Sequence, residues 1–160
     1  KRQALAARQY AIDNAHRIKG LGPNSWGMSA SISPTTGYSG HYGSHPIGHG
    51  HQLLEDGTVA PYGALSFLPF TPKESIDALE YMYRIPGLVG KYGLYDAYSY
   101  QTQAKGDQPW IAESYLGIDK GLVLLMFENY STQLIWKLLH QNAHIRKGFE
   151  VLLFECKPDH

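Results

Sequence analysis

Residues 121–127 of this 160-residue chain form its longest apolar run, and they open a stretch that reads as helix. Leu122, Val123, Leu124, Leu125, Met126 and Phe127 leave that helix with no polar face. A helix apolar around its whole girth must be buried on every side. The run is far short of the ~20 residues a membrane-spanning helix needs, so burial has to come from protein. Helical text occupies residues 4–18, 59–67, 72–83, 119–140 and 143–154. The first carries Leu5, Ile12, Ala15 and Ile18 near helical spacing, with Gly20 as a stop. The second has Pro61 near its start, where a missing N–H costs little. The third predicts a capping box, with Thr71 as N-cap, Pro72 at N1, Glu74 three residues on, and an apolar stripe of Ile76, Leu79 and Tyr83.

The connections alternate in length: residues 19–58 and 84–118 are long, 68–71 and 141–142 short. Antiparallel neighbours then place both long loops on one face, and long loops in compact domains are usually functional. Helix three is amphipathic and suits an outer position, whereas helices two and four are apolar all round and suit inner ones. Inner and outer helices in alternation, with loops on one rim, predict an all-α chain: helical hairpins forming part of an (α/α)6 toroid. Such a ring takes about twelve helices of ~15 residues, more than five stretches supply. Residues 1–160 are therefore expected to be the C-terminal segment of one toroid domain whose N-terminal part is missing, and which is the chain's partner.

Composition removes other classes. Lys plus Arg and Asp plus Glu are 14 each, which leaves no basic excess for nucleic acid and no charged run for a membrane surface. With 43 % hydrophobic and 18 % charged residues the chain is not disordered. Cys156 is the single cysteine, so no intramolecular disulfide or cysteine-based zinc site forms.

The two long loops concentrate aromatic residues and glycines. Trp26, Tyr38 and Tyr42 stand in the first; Tyr92, Tyr95, Tyr98, Tyr100, Trp110 and Tyr115 stand in the second. Aromatic faces beside polar groups suit a sugar, whose C–H faces stack on rings while its hydroxyls take hydrogen bonds. Carboxylates on the same rim are Glu55, Asp56, Asp96, Asp107, Glu113 and Asp119. Asp119 opens helix four, either as an N-cap accepting backbone N–H groups or as a catalytic carboxylate held at a helix mouth. The helix N-terminus is expected to lower its pKa, which favours an ionised base. Glu128 lies nine residues on, about 13 Å along the axis, and suits a buried hydrogen-bonded carboxylate that acts only in a deep cavity. His45-Pro46-Ile47-Gly48-His49-Gly50-His51 lacks acidic or cysteine ligands at a diagnostic spacing and reads as cleft wall, so no metal is expected.

A series of motifs runs through nearly the whole chain. In order they are Trp26-Gly27-Met28-Ser29-Ala30-Ser31, Gly37-Tyr38, Asp56-Gly57-Thr58-Val59-Ala60-Pro61-Tyr62, Pro69-Phe70-Thr71-Pro72, Gly93-Leu94-Tyr95-Asp96-Ala97, Tyr115-Leu116-Gly117-Ile118-Asp119-Lys120-Gly121 and Glu128-Asn129-Tyr130. Together they resemble the C-terminal half of the bacterial "putative glucoamylase" domain family, which includes endo-β-1,2-glucanases and domains of cyclic β-1,2-glucan synthases. The resemblance implies an (α/α)6 toroid and an inverting glycoside hydrolase of β-linked glucan, β-1,2-glucan first, with no metal or cofactor. It implies a periplasmic or extracellular location as well. Asp119 matches the acidic position of the family's Leu-Gly-Ile-Asp motif, on the base side, while the general acid lies upstream of this chain. Two departures stand out: Lys120-Gly121-Leu122 replaces a frequent Gln-Gly-Pro, and the histidine-rich stretch lengthens the first loop. The expected site is Asp119 as catalytic base, with Trp26, Tyr38, Tyr95, Asp96, Trp110, Glu113 and Glu128 around an oligo- or polysaccharide. This chain alone is expected to give no turnover. A non-catalytic glucan-binding module and a helical interaction scaffold are the alternatives.

Overall fold

The first helix, α1 (Arg2–Asp13), buries Ala4, Ala7 and Ala11 rather than the larger residues, and leaves Leu5 exposed. Alanines three and four apart line one face and let a helix approach its neighbours closely. The helix stops at Asp13, earlier than the sequence pattern suggests, where Asn14 turns its side chain back to donate to the Tyr10 carbonyl at 2.7 Å. In the computed structural model, residues 1–41 and 55–152 are described. The histidine-rich stretch, Tyr42 and Cys156 lie outside them.

The all-α expectation is overturned in the two long connections. The first contains a hairpin of β1 (Ser31–Ser33) and β2 (Gly37–Ser39), then β3 (Thr58–Val59). The second contains a hairpin of β4 (Val89–Gly90) and β5 (Gly93–Leu94), then β6 (Ala97–Ser99) and β7 (Trp110–Ala112). These strands form three small antiparallel sheets, so the chain is mixed α and β. Each strand is two or three residues long, too short for a period-2 pattern to stand out. The pairing of β3, β6 and β7 is also non-local. The central strand β6 joins the two long connections, with Thr58 opposite Ser99 and Val59 opposite Tyr98 on one edge, and Tyr98 opposite Ile111 on the other. All three β6 residues are buried, and the Tyr98 hydroxyl bonds to the Ser25 hydroxyl at 2.7 Å.

Between the sheets and the later helices lie α2 (Pro61–Leu65) and α3 (Pro72–Tyr83). Helix α3 has the expected bounds, but it is turned about its axis. Ser75, Ala78 and Met82 face inward, while Ile76 and Tyr83 are exposed. The small residues allow close contact with α2, where Ser75 donates to the Ala64 carbonyl at 3.0 Å. The capping box does not form, because the Thr71 hydroxyl donates to the Phe67 carbonyl at 3.2 Å instead. Helix α2 is pressed onto the segment around Trp26. A Cβ on Gly63 would sit 2.5 Å from the Gly27 carbonyl oxygen, and Gly27 has φ +112°. Both positions therefore need glycine. Trp26, Met28, Val59, Leu65, Met82, Leu88, Leu94 and Tyr98 form the core above this contact.

The predicted long fourth helix is two helices, α4 (Gly117–Ser131) and α5 (Leu134–Gln141). Gln133 between them is left-handed, with φ +61°. Buried Asn129 accepts from the Trp136 N–H and Thr132 from the Leu134 N–H, both at 3.1 Å. These side chains take up the free donors of a new helix start, which stabilises a break that apolar content alone does not reveal. The last helix, α6 (Ala143–Val151), is capped by Asn142, which accepts from the His144 and Ile145 N–H groups.

Helix α4 is not buried on every side by the described residues. Val123 and Phe127 pack against the core, yet Ile118 is 77 % and Leu124 71 % exposed, with Leu122 and Leu125 also open. The exposed leucines of α5 continue this surface.

Candidate active site

The two long connections meet at a pair of carboxyls. Asp96 lies between β5 and β6, and its backbone N–H donates to the Ser114 carbonyl at 3.0 Å. One side-chain oxygen, Oδ2, accepts the Ile32 N–H of β1 at 2.8 Å, which binds the first connection to the second. Asp119 stands in the first turn of α4, three positions after the actual N-cap, Leu116. It is thus not the cap residue. Asp119 as a residue is 7 % exposed and Asp96 3 %.

The Asp119 pKa moves opposite to the helix-dipole expectation. Burial pushes its carboxyl up to about 7, aided by a side-chain hydrogen bond with Asp96 and by the Asp96 charge, while Lys120 opposes the rise. A helix terminus contributes about 0.3–1 kcal/mol at exposed positions, and desolvation beside a second carboxylate exceeds it. Lys120 is itself pushed down by burial, against the attraction of Asp96 and Asp119, and its Nζ donates to the Leu94 carbonyl. Tyr62 of α2 completes the group. Its hydroxyl donates to the Ala30 carbonyl at 3.0 Å and meets the Ser29 hydroxyl at 2.7 Å. Burial raises the Tyr62 pKa, opposed by the Ser29 hydrogen bond and reinforced by the charges of Asp119, Tyr38 and Asp96.

A tyrosine ladder borders these residues. The Tyr95 and Tyr115 rings lie 5.0 Å apart, and Tyr92 meets Tyr115 edge-on at 5.4 Å. They cross over Gly90, where a Cβ would come within 2.5 Å of the Tyr95 ring. Lys120 Nζ lies 5.7 Å from the Tyr115 ring centre, within cation–π reach. Tyr62, Leu94, Lys120, Tyr92 and Phe127 also line a cavity of about 310 Å³.

The remaining expected residues divide. Tyr38 is exposed on β2, Trp110 half-buried on β7, and Glu113 exposed with its charge felt at Tyr95. Trp26 is 0 % exposed and stacked on Phe67 at 6.4 Å, so it is a core residue with no face for a sugar. Glu128 lies toward the far end of α4, half-buried and bonded to the Thr132 hydroxyl, away from Asp119. Glu55 pairs with Arg17 at 2.9 Å, and Asp56 accepts the Thr58 N–H at 3.0 Å, so both hold the loop. Tyr62, Ser29 and Lys120 escaped the sequence reading as site residues. All three stand inside or beside the quoted motifs, which is the signal that could have found them. Among the described residues no group of three or more His, Cys, Asp or Glu converges on a metal position.

Residues 1–143 match the family model described as "Putative glucoamylase". The chain is 34 % identical to an endo-β-1,2-glucanase from Chitinophaga pinensis, solved with sophorotriose and glucose. It superposes with a TM-score of 0.75 over 92 % of this chain and 32 % of that one. A crystal structure from Bacteroides uniformis, also described as a putative glucoamylase, is 36 % identical with the same TM-score and coverage. An exo β-1,2-glucooligosaccharide sophorohydrolase (non-reducing end) of Parabacteroides distasonis is 31 % identical over 153 residues, 94 % of this chain and 19 % of the relative. The chain thus spans about a fifth of that curated relative and about a third of the solved structures.

Proposed function

Because this chain belongs to the family described as "Putative glucoamylase", we propose that it carries the base side of an inverting glycoside hydrolase site for β-1,2-linked glucan. The observation that supports this most is the buried Asp119 carboxyl, raised to about 7, beside an aromatic rim. A general base works best with a pKa near the operating pH. In the proposed step ionised Asp119 takes a proton from water as the water oxygen attacks the anomeric carbon. The glycosidic C–O bond breaks, and its oxygen takes a proton from an acid residue outside this chain. Inversion places the two carboxyls about 6.5–9.5 Å apart to admit the water.

Tyr38, Tyr95, Trp110 and Glu113 are proposed to meet the glucan, with Tyr92 and Tyr115 extending the ring surface. Trp26 supports the site from the core, and Glu128 contacts sugar only where the groove is deep. The exposed faces of α4 and α5 are proposed to be covered by the rest of the same domain. Their apolar residues and the chain's coverage of about a third of the solved relatives support that partner.

The test is Asp119→Asn in the intact protein, assayed by reducing ends released from β-1,2-glucan and by calorimetric binding of the same glucan. Rate is expected to fall about 10²–10⁴-fold with binding retained. An unchanged rate removes Asp119 as base. Binding by the unaltered protein without any cleavage makes this a glucan-binding module instead.

A further inference from the structure

The first turn of α4, which carries Asp119, is weakly held by its own sequence. Its N-cap, Leu116, makes no side-chain cap bond, Gly117 is exposed, and Ile118 is 77 % exposed. A Cβ on Gly117 or Gly121 would meet nothing within 4 Å, so neither glycine serves close packing. Glycine gains the most freedom when a helix opens, and the first N–H groups lack acceptors, so such a turn tends to fray. Lys120 counters this. Its backbone N–H bonds to the Leu116 carbonyl at 3.1 Å. Its Nζ donates to the Leu94 carbonyl on β5, two residues before Asp96, and lies 5.7 Å from the Tyr115 ring centre. Tyr115 is fixed in turn: its hydroxyl accepts the Tyr92 N–H at 3.1 Å, and its ring lies 5.0 Å from that of Tyr95. The ammonium thus ties α4 to β5 and to the tyrosine ladder. A half-buried cation carries a desolvation cost that an apolar side chain avoids. An apolar side chain, however, has no donor for the Leu94 carbonyl and no charge for the ring.

We propose that Lys120 is a positioning residue, which straps the first turn of α4 to β5 and so fixes the direction in which Asp119 faces the substrate. The rate consequence rests on Asp119 acting as base, as proposed above; the strap itself does not. Residues one apart on a helix do not face each other, so Lys120 acts through the backbone of the turn and leaves the Asp119 carboxyl to the water. Lys120 exchanges no proton in the step. A displacement of about 1 Å at a reacting group costs about 100-fold in rate, which is the scale a loose first turn puts at stake. Lys120 also borders the cavity of about 310 Å³ that Tyr62 and Tyr92 line, so a small amine can reach the place of Nζ once the side chain is cut back.

The experiment compares Lys120→Met and Lys120→Ala with the unaltered intact protein. Methionine keeps most of the stem and loses the donor and the charge. Amide hydrogen exchange across residues 117–121 is expected to quicken about tenfold in Lys120→Met, with residues 125–131 unchanged. On β-1,2-glucan its kcat is expected to fall about 10–100-fold while KM stays within about twofold. In Lys120→Ala, ethylammonium is expected to restore kcat about tenfold and ethanol at the same concentration to leave it unchanged, a difference that packing alone does not produce. In the unaltered protein labelled with ¹⁵N at lysine, the Lys120 ammonium hydrogens are expected to be protected from solvent. Lys120 hydrogens that exchange like those of exposed lysines overturn the strap with no variant needed, so a misfolded Lys120→Met does not shield it. Unaltered exchange across residues 117–121 in Lys120→Met overturns it as well. So does a kcat that stays in place in Lys120→Met although Asp119→Asn has lost its rate. If Asp119→Asn keeps its full rate, the base assignment fails and the exchange measurements alone decide the strap, which separates the two readings.

Discussion

Asp119→Asn should make the folded protein more stable at neutral pH while it removes the proposed base. Folding lifts the Asp119 pKa from 3.8 to about 7, a change of about three units. At about 1.36 kcal/mol per unit, ionising Asp119 in the folded state costs up to about 4 kcal/mol more than in the unfolded chain. Solvent screening brings the working figure to about 2 kcal/mol. Because the folded pKa lies above the unfolded one, the folded state binds more protons between about pH 4 and 7. Stability attributable to this group is therefore full below about pH 4, declines as pH rises, and is lost above about pH 7. Asparagine has no such proton and can donate its amide hydrogens to Asp96. The assay is urea denaturation of both proteins at intervals from about pH 4 to 8, taking the difference at each pH so that other carboxylates cancel. The variant should match the parent near pH 4 and exceed it by about 2 kcal/mol near pH 8. A difference that does not change with pH, or that grows in the parent's favour as pH rises, refutes the raised pKa and with it the buried pair. Groups kept for chemistry commonly lower stability in this way.

Gly63→Ala should destabilise by about 3 kcal/mol, since its Cβ would meet the backbone of Gly27, which cannot move aside as a flexible side chain can. A fall in melting temperature of about 6–12 °C is the expected readout, and an unchanged value removes the close approach of α2 to the Trp26 segment. Gly90→Ala should push the Tyr95 and Tyr115 rings apart. On β-1,2-glucan it is expected to raise KM several-fold with a smaller change in kcat, and an unaffected KM excludes the tyrosine ladder from substrate contact.

Legibility from sequence followed the range of the interactions. Helix α3 was readable to its bounds, because Pro72 at N1 and a polar–apolar repeat are local signals. Its orientation was not, since Ser75 and Ala78 face inward only to bring α3 against α2. The break between α4 and α5 depends on Asn129 reaching Trp136 seven residues on, which hydrophobic periodicity does not detect. The strands failed for a related reason: each is two or three residues long, and β3, β6 and β7 acquire their identity from partners far along the chain. Among site residues, Asp119, Asp96 and Tyr95 were legible as polar or aromatic positions in recurring motifs. Trp26 was misplaced, because an aromatic in a glycine-rich loop looks the same whether it faces a groove or the core.

Residue order alone determined the bounds of α3, the family to which the chain belongs and Asp119 as the carboxylate to examine. All of these rest on local patterns or short motifs. Tertiary structure alone decided that Asp96 faces Asp119, that Ile32 anchors the pair and that α4 leaves a broad apolar face uncovered. It also reversed the direction of the Asp119 pKa. Desolvation depends on how many atoms from distant parts of the chain surround a carboxyl, and a helix start read from sequence supplies only the smaller, opposing field.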